Sequence, residues 1–301
     1  MFIIRNRKIF FAISSVLVIA SIAFLSVWGL NLGIDFTGGS ILELTYKADR
    51  PTIEQVRTEV EKEGIEGASV RPSGEAGFTI RSRQIDEEKK VSLVGKLSFG
   101  KAENITVEKF NSIGPVAGKE LQRKSFLAIA IVILAILFFI VFAFRKVSKP
   151  VSSWKYGVAT IISLVHDVVI PTGIFVILGH YLGIEIDLLF VAALLSIMGY
   201  SVHDTIVVFD RIRENLLLNI EERNKENFDV TVGKGLMQTI GRSINTSLTT
   251  ILVLITLYFF GGEATKNFAL ILLIGMLIGA YSSIFLAAPL LVLFEGKNKK
   301  N

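Results

Sequence analysis

The sequence contains no cysteine. Disulfides, thiolate metal sites and cysteine nucleophiles are therefore excluded, and the redox state of the compartment leaves no mark on it. Histidine is scarce, with 3 in 301 residues, and none falls in the long polar stretch from 31 to 124. That stretch carries 15 Lys/Arg against 15 Asp/Glu, so it has no net charge with which to attract nucleic acid. Its carboxylates are scattered among basic residues as on a solvated face, which argues against a hydrolase site. The glycines of "GIDFTGGS" (33–40) are followed by no P-loop lysine and no helix start. A tight turn into a strand is favoured there over a phosphate cradle.

Apolar length, by contrast, is plentiful. Hydrophobic residues make up 51% of the chain, with 22 Phe. Residues 126–144 hold no polar side chain, which no soluble core helix requires. Further runs at 156–178, 188–209, 244–260 and 268–294 read as spans, the last long enough to cross with tilt. The first run, 9–30, follows Arg5, Arg7 and Lys8 as in a signal peptide. Its apolar core is too long for that, and no A-x-A-like cleavage site follows, so it reads as an uncleaved anchor. Six spans result.

Short-loop charges set the orientation. Arg5, Arg7 and Lys8, then Arg145, Lys146, Lys149 and Lys155, then Lys297, Lys299 and Lys300 all fall on one side. The opposite loops hold Lys266 alone. Both termini are then cytoplasmic. The expected division is a tail and first span at 1–30, an extracytoplasmic domain at 31–124, a helical bundle at 125–294 and a basic tail at 295–301. A cytoplasmic connection is expected at 210–242, in which 231–240 reads as an amphipathic helix that carries the fifth helix back through Arg242.

In the outer domain, 40–46 (SILELTY) alternates as a strand does. Residues 52–63 place Ile53, Val56 and Val60 at helical spacing, with Thr52 as N-cap and Gly64 as stop. Short strands at 68–71 and 78–81 flank a "PSGEAG" turn. A helix at 86–97, with Val91, Val94 and Leu97 on one side, and a strand at 104–113 complete a βαββαβ order. That order is ferredoxin-like, so the fold class is a polytopic α-helical membrane protein with one α+β outer domain. Docking a partner or a polypeptide suits this domain better than catalysis.

Few charges fall inside the spans: Asp167 and Asp204, each preceded by a histidine, His166 and His203. An aspartate at a helix centre costs about 2.5–3.5 kcal/mol on insertion scales, so each is a functional candidate. The other reading is a protonated carboxyl bonded to a neighbouring helix. Asp204 and Arg242 both fall roughly 26 Å below the outer surface, and Asp167 about 19 Å. A counter-charge from Arg242 at that depth would hold Asp204 ionised, and its withdrawal would let a proton bind. Thr246, Thr249 and Thr250 share a face with Arg242, while Ser201 and Thr205 flank Asp204 and can hold water. Adjacent residues diverge by about 100° on a helix, so the His-Asp pairs make a poor metal site and none is expected. No nucleophile marks an enzyme, and no cofactor is implied. Gly275, Gly279, Ser283 and Ala287, four apart, form a small-residue packing stripe.

Several motifs recur together: "GIDFTGG" after the first span, "GPVAGKEL" (114–121) before the second and "HDV" (166–168) in the third. "DTIVVFDRIREN" (204–215), "RSINTSLTT" (242–250) and "GAYSSIFLAAP" (279–289) follow. This set resembles the SecD/SecF family of protein-export membrane proteins almost end to end. The resemblance implies a six-span half-unit of the resistance-nodulation-division type, in a bacterial inner membrane, completed by SecD. It implies proton-driven assistance to the SecYEG channel with YajC and the SecA-driven translocon, acting on an unfolded translocating polypeptide. It also implies that Asp204 and Arg242 match the family's proton-pathway residues. One departure is His203, where the family usually has Asn. Two other readings remain at this point, a small-molecule efflux transporter of the same architecture and a purely structural assembly subunit.

Overall fold

The structure is a computed structural model, and it describes residues 2–48, 50–65, 67–145, 152–224 and 226–296. Lys146, Lys149, Lys297, Lys299 and Lys300, used above for orientation, lie outside the described residues. In chain order the first elements are α1 (Arg7–Trp28), β1 (Gly39–Tyr46), α2 (Ile53–Lys62) and β2 (Ser69–Ser73). Next come β3 (Gly77–Ser82), α3 (Glu87–Leu97), β4 (Ile105–Ile113) and α4 (Pro115–Ala143). The rest is helical: α5 (Ser153–Leu182), α6 (Leu188–Glu221), α7 (Phe228–Phe260), α8 (Glu263–Ser282) and α9 (Ala288–Gly296). A π-helical turn, Ser283–Ala287, joins α8 to α9. Two compact units result, one of Leu32–Phe126 and one of Met1–Asn31 with Leu127–Asn301.

The smaller unit is an antiparallel sheet in the order β2-β3-β1-β4, backed by α2 and α3. Alternation along β1 and β3 turns Leu42, Leu44, Tyr46, Phe78 and Ile80 to one face, against Val56 and Val60 of α2 and Leu93 and Leu97 of α3. A capping box starts α2. Thr52 N–H donates to Gln55 Oε1 at 2.8 Å, and Gln55 N–H donates to Thr52 Oγ1 at 3.3 Å. The helix stops at Gly64, with φ +68°. Asp86 caps α3 by accepting from Lys89 N–H at 2.9 Å. The inner face of α3 differs from expectation: Leu93 and Leu97 are buried while Val91 is exposed. Leucine has more apolar area to hide than valine, so the helix rolls toward Leu93. The Tyr46 hydroxyl donates to Leu97 O at 3.0 Å, and burial pushes its pKa up to about 12.

Between α2 and α3, Glu63 pairs with Lys96 and accepts from Ser92 Oγ at 3.0 Å. The Lys96 bond, helped by Ser92, holds the Glu63 carboxyl below its ordinary range. A depressed carboxylate pKa stabilises the fold above the unfolded value, about 4.3. That stabilisation is lost as pH falls through the lower folded value. Thermal unfolding of the purified protein should therefore separate wild type from Glu63→Gln at pH 7 and bring them together in acid. A gap that persisted once the carboxyl is fully protonated would assign the difference to packing.

The glycine-rich stretch after α1 meets the start of α4. Gly38 has φ +76°, and a Cβ there would lie 2.7 Å from Pro115 Cα. A Cβ on Gly118 would fall 2.9 Å from Gly38 N and 3.0 Å from Phe36 O. Two backbones thus touch where no side chain fits. Pro115 suits the first helical position because its missing N–H is an orphan there in any case. Gly38→Ala should cost at least about 1–3 kcal/mol in backbone strain alone. Gly95→Ala, on helix α3 with nothing within 4 Å, should instead gain about 0.5–1 kcal/mol. Equal unfolding temperatures for the two variants would refute this account.

Among the described residues, six helices are long and apolar enough to cross a membrane: α1, α4, α5, α6, α7 and the α8–α9 run. About half of α5, α6 and α8–α9 is buried, whereas α1, α4 and α7 are mostly exposed. Phe126, Phe138, Phe139 and Phe142 of α4 face outward, as lipid-covered side chains do. Small residues set the close approaches. A Cβ on Gly173 of α5 would overlap Ser21 of α1. Residues 210–242, expected as a connection, are mostly helix: α6 runs on to Glu221 and α7 begins at Phe228. Their polarity marks departure from lipid without ending the helices. Lys155, counted above as a loop charge, is buried and donates from Nζ to Phe294 O at 2.9 Å, capping the end of α9.

Candidate functional site

Two carboxylates lie inside the helical unit. Asp167, halfway along α5, is fully buried. Its Oδ2 accepts from Ser201 Oγ of α6 at 2.5 Å and from Ser282 Oγ of α8 at 2.7 Å. Its Oδ1 lies 2.9 Å from His166 Nδ1. The imidazole folds back onto its neighbour's carboxylate, and both are buried.

Asp204, on α6, is 7% exposed. Its Oδ1 accepts from Ser243 Oγ of α7 at 2.7 Å, and its Oδ2 has no hydrogen-bond partner among the described residues. Thr205 and Ser283 share a hydroxyl–hydroxyl bond of 3.0 Å, and Ser283 Oγ also lies 3.4 Å from Ser201 O. The Ser283 hydroxyl stands beside the Asp204 carboxylate as well. A row of buried hydroxyls therefore runs from Asp167 through Ser201, Ser282 and Ser283 to Asp204 and on to Ser243. One turn nearer the start of α6, Tyr200 OH donates to Ser247 Oγ at 3.3 Å.

Ser282 and Ser283 are consecutive, yet one reaches Asp167 and the other reaches α6. The π-turn that begins at Ser283 widens the helix at this point, and such turns cluster at functional sites. Ser283 appeared in the sequence as packing, and Ser282 was not singled out. A serine pair within an otherwise apolar span was the one available signal. The stripe itself packs on α6. A Cβ on Gly275 would overlap Ile197, and one on Gly279 would sit 3.3 Å from Ser201 Cβ.

Arg242 is not brought to Asp204. It is exposed, and no ion pair joins the two among the described residues. The inward face of α7 is Thr239, Ser243 and Ser247; Arg242, Thr246 and Thr249 lie on the exposed side, with Thr250 partly covered. Thr246 and Thr249 turn their hydroxyls back to the α7 carbonyls of Arg242 and Thr246 at 2.9 Å each. His203 is exposed too. On antiparallel helices the residues just before a bonded pair, here Asp204 and Ser243, turn to the same flank, so His203 and Arg242 share one.

Residues 94–297 match the family described as the protein export membrane protein SecD/SecF, C-terminal, and residues 24–49 match the SecD/SecF GG motif. The chain is 44% identical to the protein translocase subunit SecF of Thermobaculum terrenum, over 98% of this chain and 94% of that protein. It is 36% identical to the corresponding subunit of Haemophilus influenzae, over 94% of this chain and 82% of the relative. The crystal structure of SecDF, a translocon-associated membrane protein from Thermus thermophilus, superimposes with a TM-score of 0.81 at 31% identity. That match covers 97% of this chain but only 38% of the longer one.

Proposed function

The chain belongs to the SecD/SecF family of protein-export membrane proteins, and from that premise we propose that it is a proton-driven, SecF-type subunit of a protein translocase. The observation that carries this reading is the buried hydroxyl row between Asp167 and Asp204. Two carboxylates in an apolar bundle are expensive, and a purely structural role gains little from two of them. A carboxylate with one oxygen bonded and the other uncommitted, as in Asp204, is placed to take up and release a proton. Serine and threonine hydroxyls both donate and accept, and a water bridging the step where Ser283 meets Ser201 only at its backbone carbonyl, 3.4 Å away, would let a proton pass between the two acids.

The flank of His203, Arg242, Thr246 and Thr249 is read as the face covered by SecD. A guanidinium turned to lipid at this depth would be costly. SecD would thereby supply what Arg242 lacks within this chain and complete an assembly of the resistance-nodulation-division type. Arg242 then lies in the contact with SecD, one residue round α7 from the Ser243 that binds Asp204. The unit of Leu32–Phe126 is read as extracytoplasmic and ferredoxin-like, a reading supported by its strand order, β2-β3-β1-β4. Arg5, Arg7 and Lys8 against a lone Lys266 favour cytoplasmic termini. The outer domain would hand the translocating polypeptide onward from the SecYEG channel, with YajC and the SecA-driven machinery alongside.

One proton crossing the potential delivers about 2.3 kcal/mol per 100 mV, and about 1.4 kcal/mol already shifts a two-state motion tenfold. Small-molecule efflux is disfavoured, because the relatives are translocase subunits. The test is export into vesicles reconstituted with the Sec channel and SecD, with and without this chain. The chain should raise export only while a proton gradient stands, and an ionophore should remove the gain. Stimulation that survives the ionophore would defeat the reading.

A further inference from the structure

On α5, Tyr156, Thr160, Ser163, His166 and Asp167 recur every three or four residues and so line one edge of the helix. All five are almost wholly buried. Thr160 Oγ1 donates to Tyr156 O at 2.9 Å, and both Asp167 oxygens are engaged. The Tyr156 hydroxyl, Ser163 Oγ and His166 Nε2, however, have no hydrogen-bond partner among the described residues. Buried polar atoms are almost always satisfied, and where protein does not supply the partner an ordered water does.

Ser163 is the telling residue. A helical serine or threonine can return its hydroxyl to the carbonyl four residues back, as Thr160 and Thr172 do on this helix, at 2.9 and 2.7 Å. Ser163 makes no such bond, so its hydroxyl is directed away from its own backbone. His166, one turn on, commits Nδ1 to Asp167 and leaves Nε2 on the far side of the ring. The ring is walled by Tyr281, its centroid 6.0 Å away, whose hydroxyl is tied to α1 through Phe10 O at 3.2 Å. Of the three groups that bind Asp167, only His166 also carries an unpartnered atom.

We infer that the Tyr156–His166 edge of α5 holds internal water, and that this hydrated leg connects Asp167 to the Lys155 end of the helix. The inference rests on the proton-relay reading above and adds the route by which a proton leaves it. In the transfer, the Asp167 O–H bond breaks as His166 Nδ1–H forms. The Nε2–H bond then breaks as a water bonded to Ser163 takes that proton. One proton has moved from Asp167 to water, no net charge stays on the ring, and the first tautomer returns when water takes the Nδ1 proton of the turned ring and gives one to Nε2.

Radiolytic hydroxyl-radical labelling of the SecD complex in lipid nanodiscs reads the water directly. Radicals made from trapped water oxidise their neighbours, so His166 and Tyr156 should be modified well above Phe175, which is equally buried and lies against the Phe190 ring. Ser163→Val, which fills the space with an apolar group, should suppress labelling of His166. It should also lower proton flux about tenfold, the worth of one lost buried hydrogen bond. Ser163→Gly, the worse residue for a helix but one that leaves room for water, should lower flux less. A structural role would reverse that order. If the Val variant fails to accumulate, wild-type labelling decides. His166 as silent as Phe175 overturns the hydrated leg, whatever Asp204 does. Labelled His166 with proton flux surviving Asp204→Asn would leave the water in place and overturn the relay instead.

Discussion

Asp204→Asn is expected to abolish proton-gradient-dependent stimulation of export while the protein remains inserted and bound to SecD. The substitution changes little in shape. The amide oxygen of Asn can accept from Ser243 Oγ as Asp204 Oδ1 does, at 2.7 Å in the wild type. What disappears is the ability to hold a charge or exchange a proton. The defect should therefore be complete in the gradient-dependent part of export and absent from complex levels. His203→Asn provides the comparison. That side chain is exposed on the flank and makes no part of the hydroxyl row, so its replacement should be mild. Export in reconstituted vesicles, normalised to the amount of complex, separates the cases. Full stimulation by Asp204→Asn would make Asp204 a protonated structural carboxyl.

Asp167→Leu should act through stability. Ser201, Ser282 and His166 all direct hydrogen-bonding groups at this one carboxylate. A leucine satisfies none of them in a site with no exposure. Removing one side of a buried charge network costs about 3–5 kcal/mol, a large part of a typical total of about 5–15 kcal/mol. The variant should accumulate poorly in the membrane fraction, and what survives should unfold at lower temperature. Asp167→Asn keeps an acceptor and offers an amide donor to hydroxyls that can reverse direction, so its loss should be nearer about 1–2 kcal/mol. If the leucine variant accumulates like wild type, the network is not a structural keystone and Asp167 matters only for transport.

The six long helices were legible because an apolar run of span length has few alternative meanings, and Thr52, Asp86 and Gly64 marked element ends through backbone requirements. The end of α6 was not legible, whereas the early start of α7 was, in the amphipathic run 231–240 before Arg242. Hydropathy reports where a helix leaves lipid, whereas the backbone hydrogen bonding that continues it to Glu221 is indifferent to side-chain charge. Helical periodicity did group Arg242 with Thr246 and Thr249, but it carries no information on which side faces the neighbours. The assumption that opposite charges attract chose the wrong side by one residue. Ser243, about 100° around the helix, is the partner of Asp204. The π-turn at Ser283 was invisible for a further reason. An extra residue in one turn alters backbone geometry without requiring any particular side chain.

The stripe on α8 has a mechanical consequence. Gly275 sits on Ile197, Gly279 on Ser201 and Ser283 on Thr205, so both helices advance four residues per contact and run in the same direction. Such a contact behaves as a ratchet whose step is one helical turn, about 6 Å for four residues. Sliding α8 one step toward the start of α6 seats Gly279 on Ile197, small against large, and Ser283 on Ser201, small against small, and neither contact clashes. Sliding it the other way drives the fully buried Ile271 onto Ile197, where even a Cβ at the present position overlaps. From the present register, side-chain size therefore leaves only one direction of sliding open. The permitted step would also carry Ser282 about 6 Å out of register with Asp167.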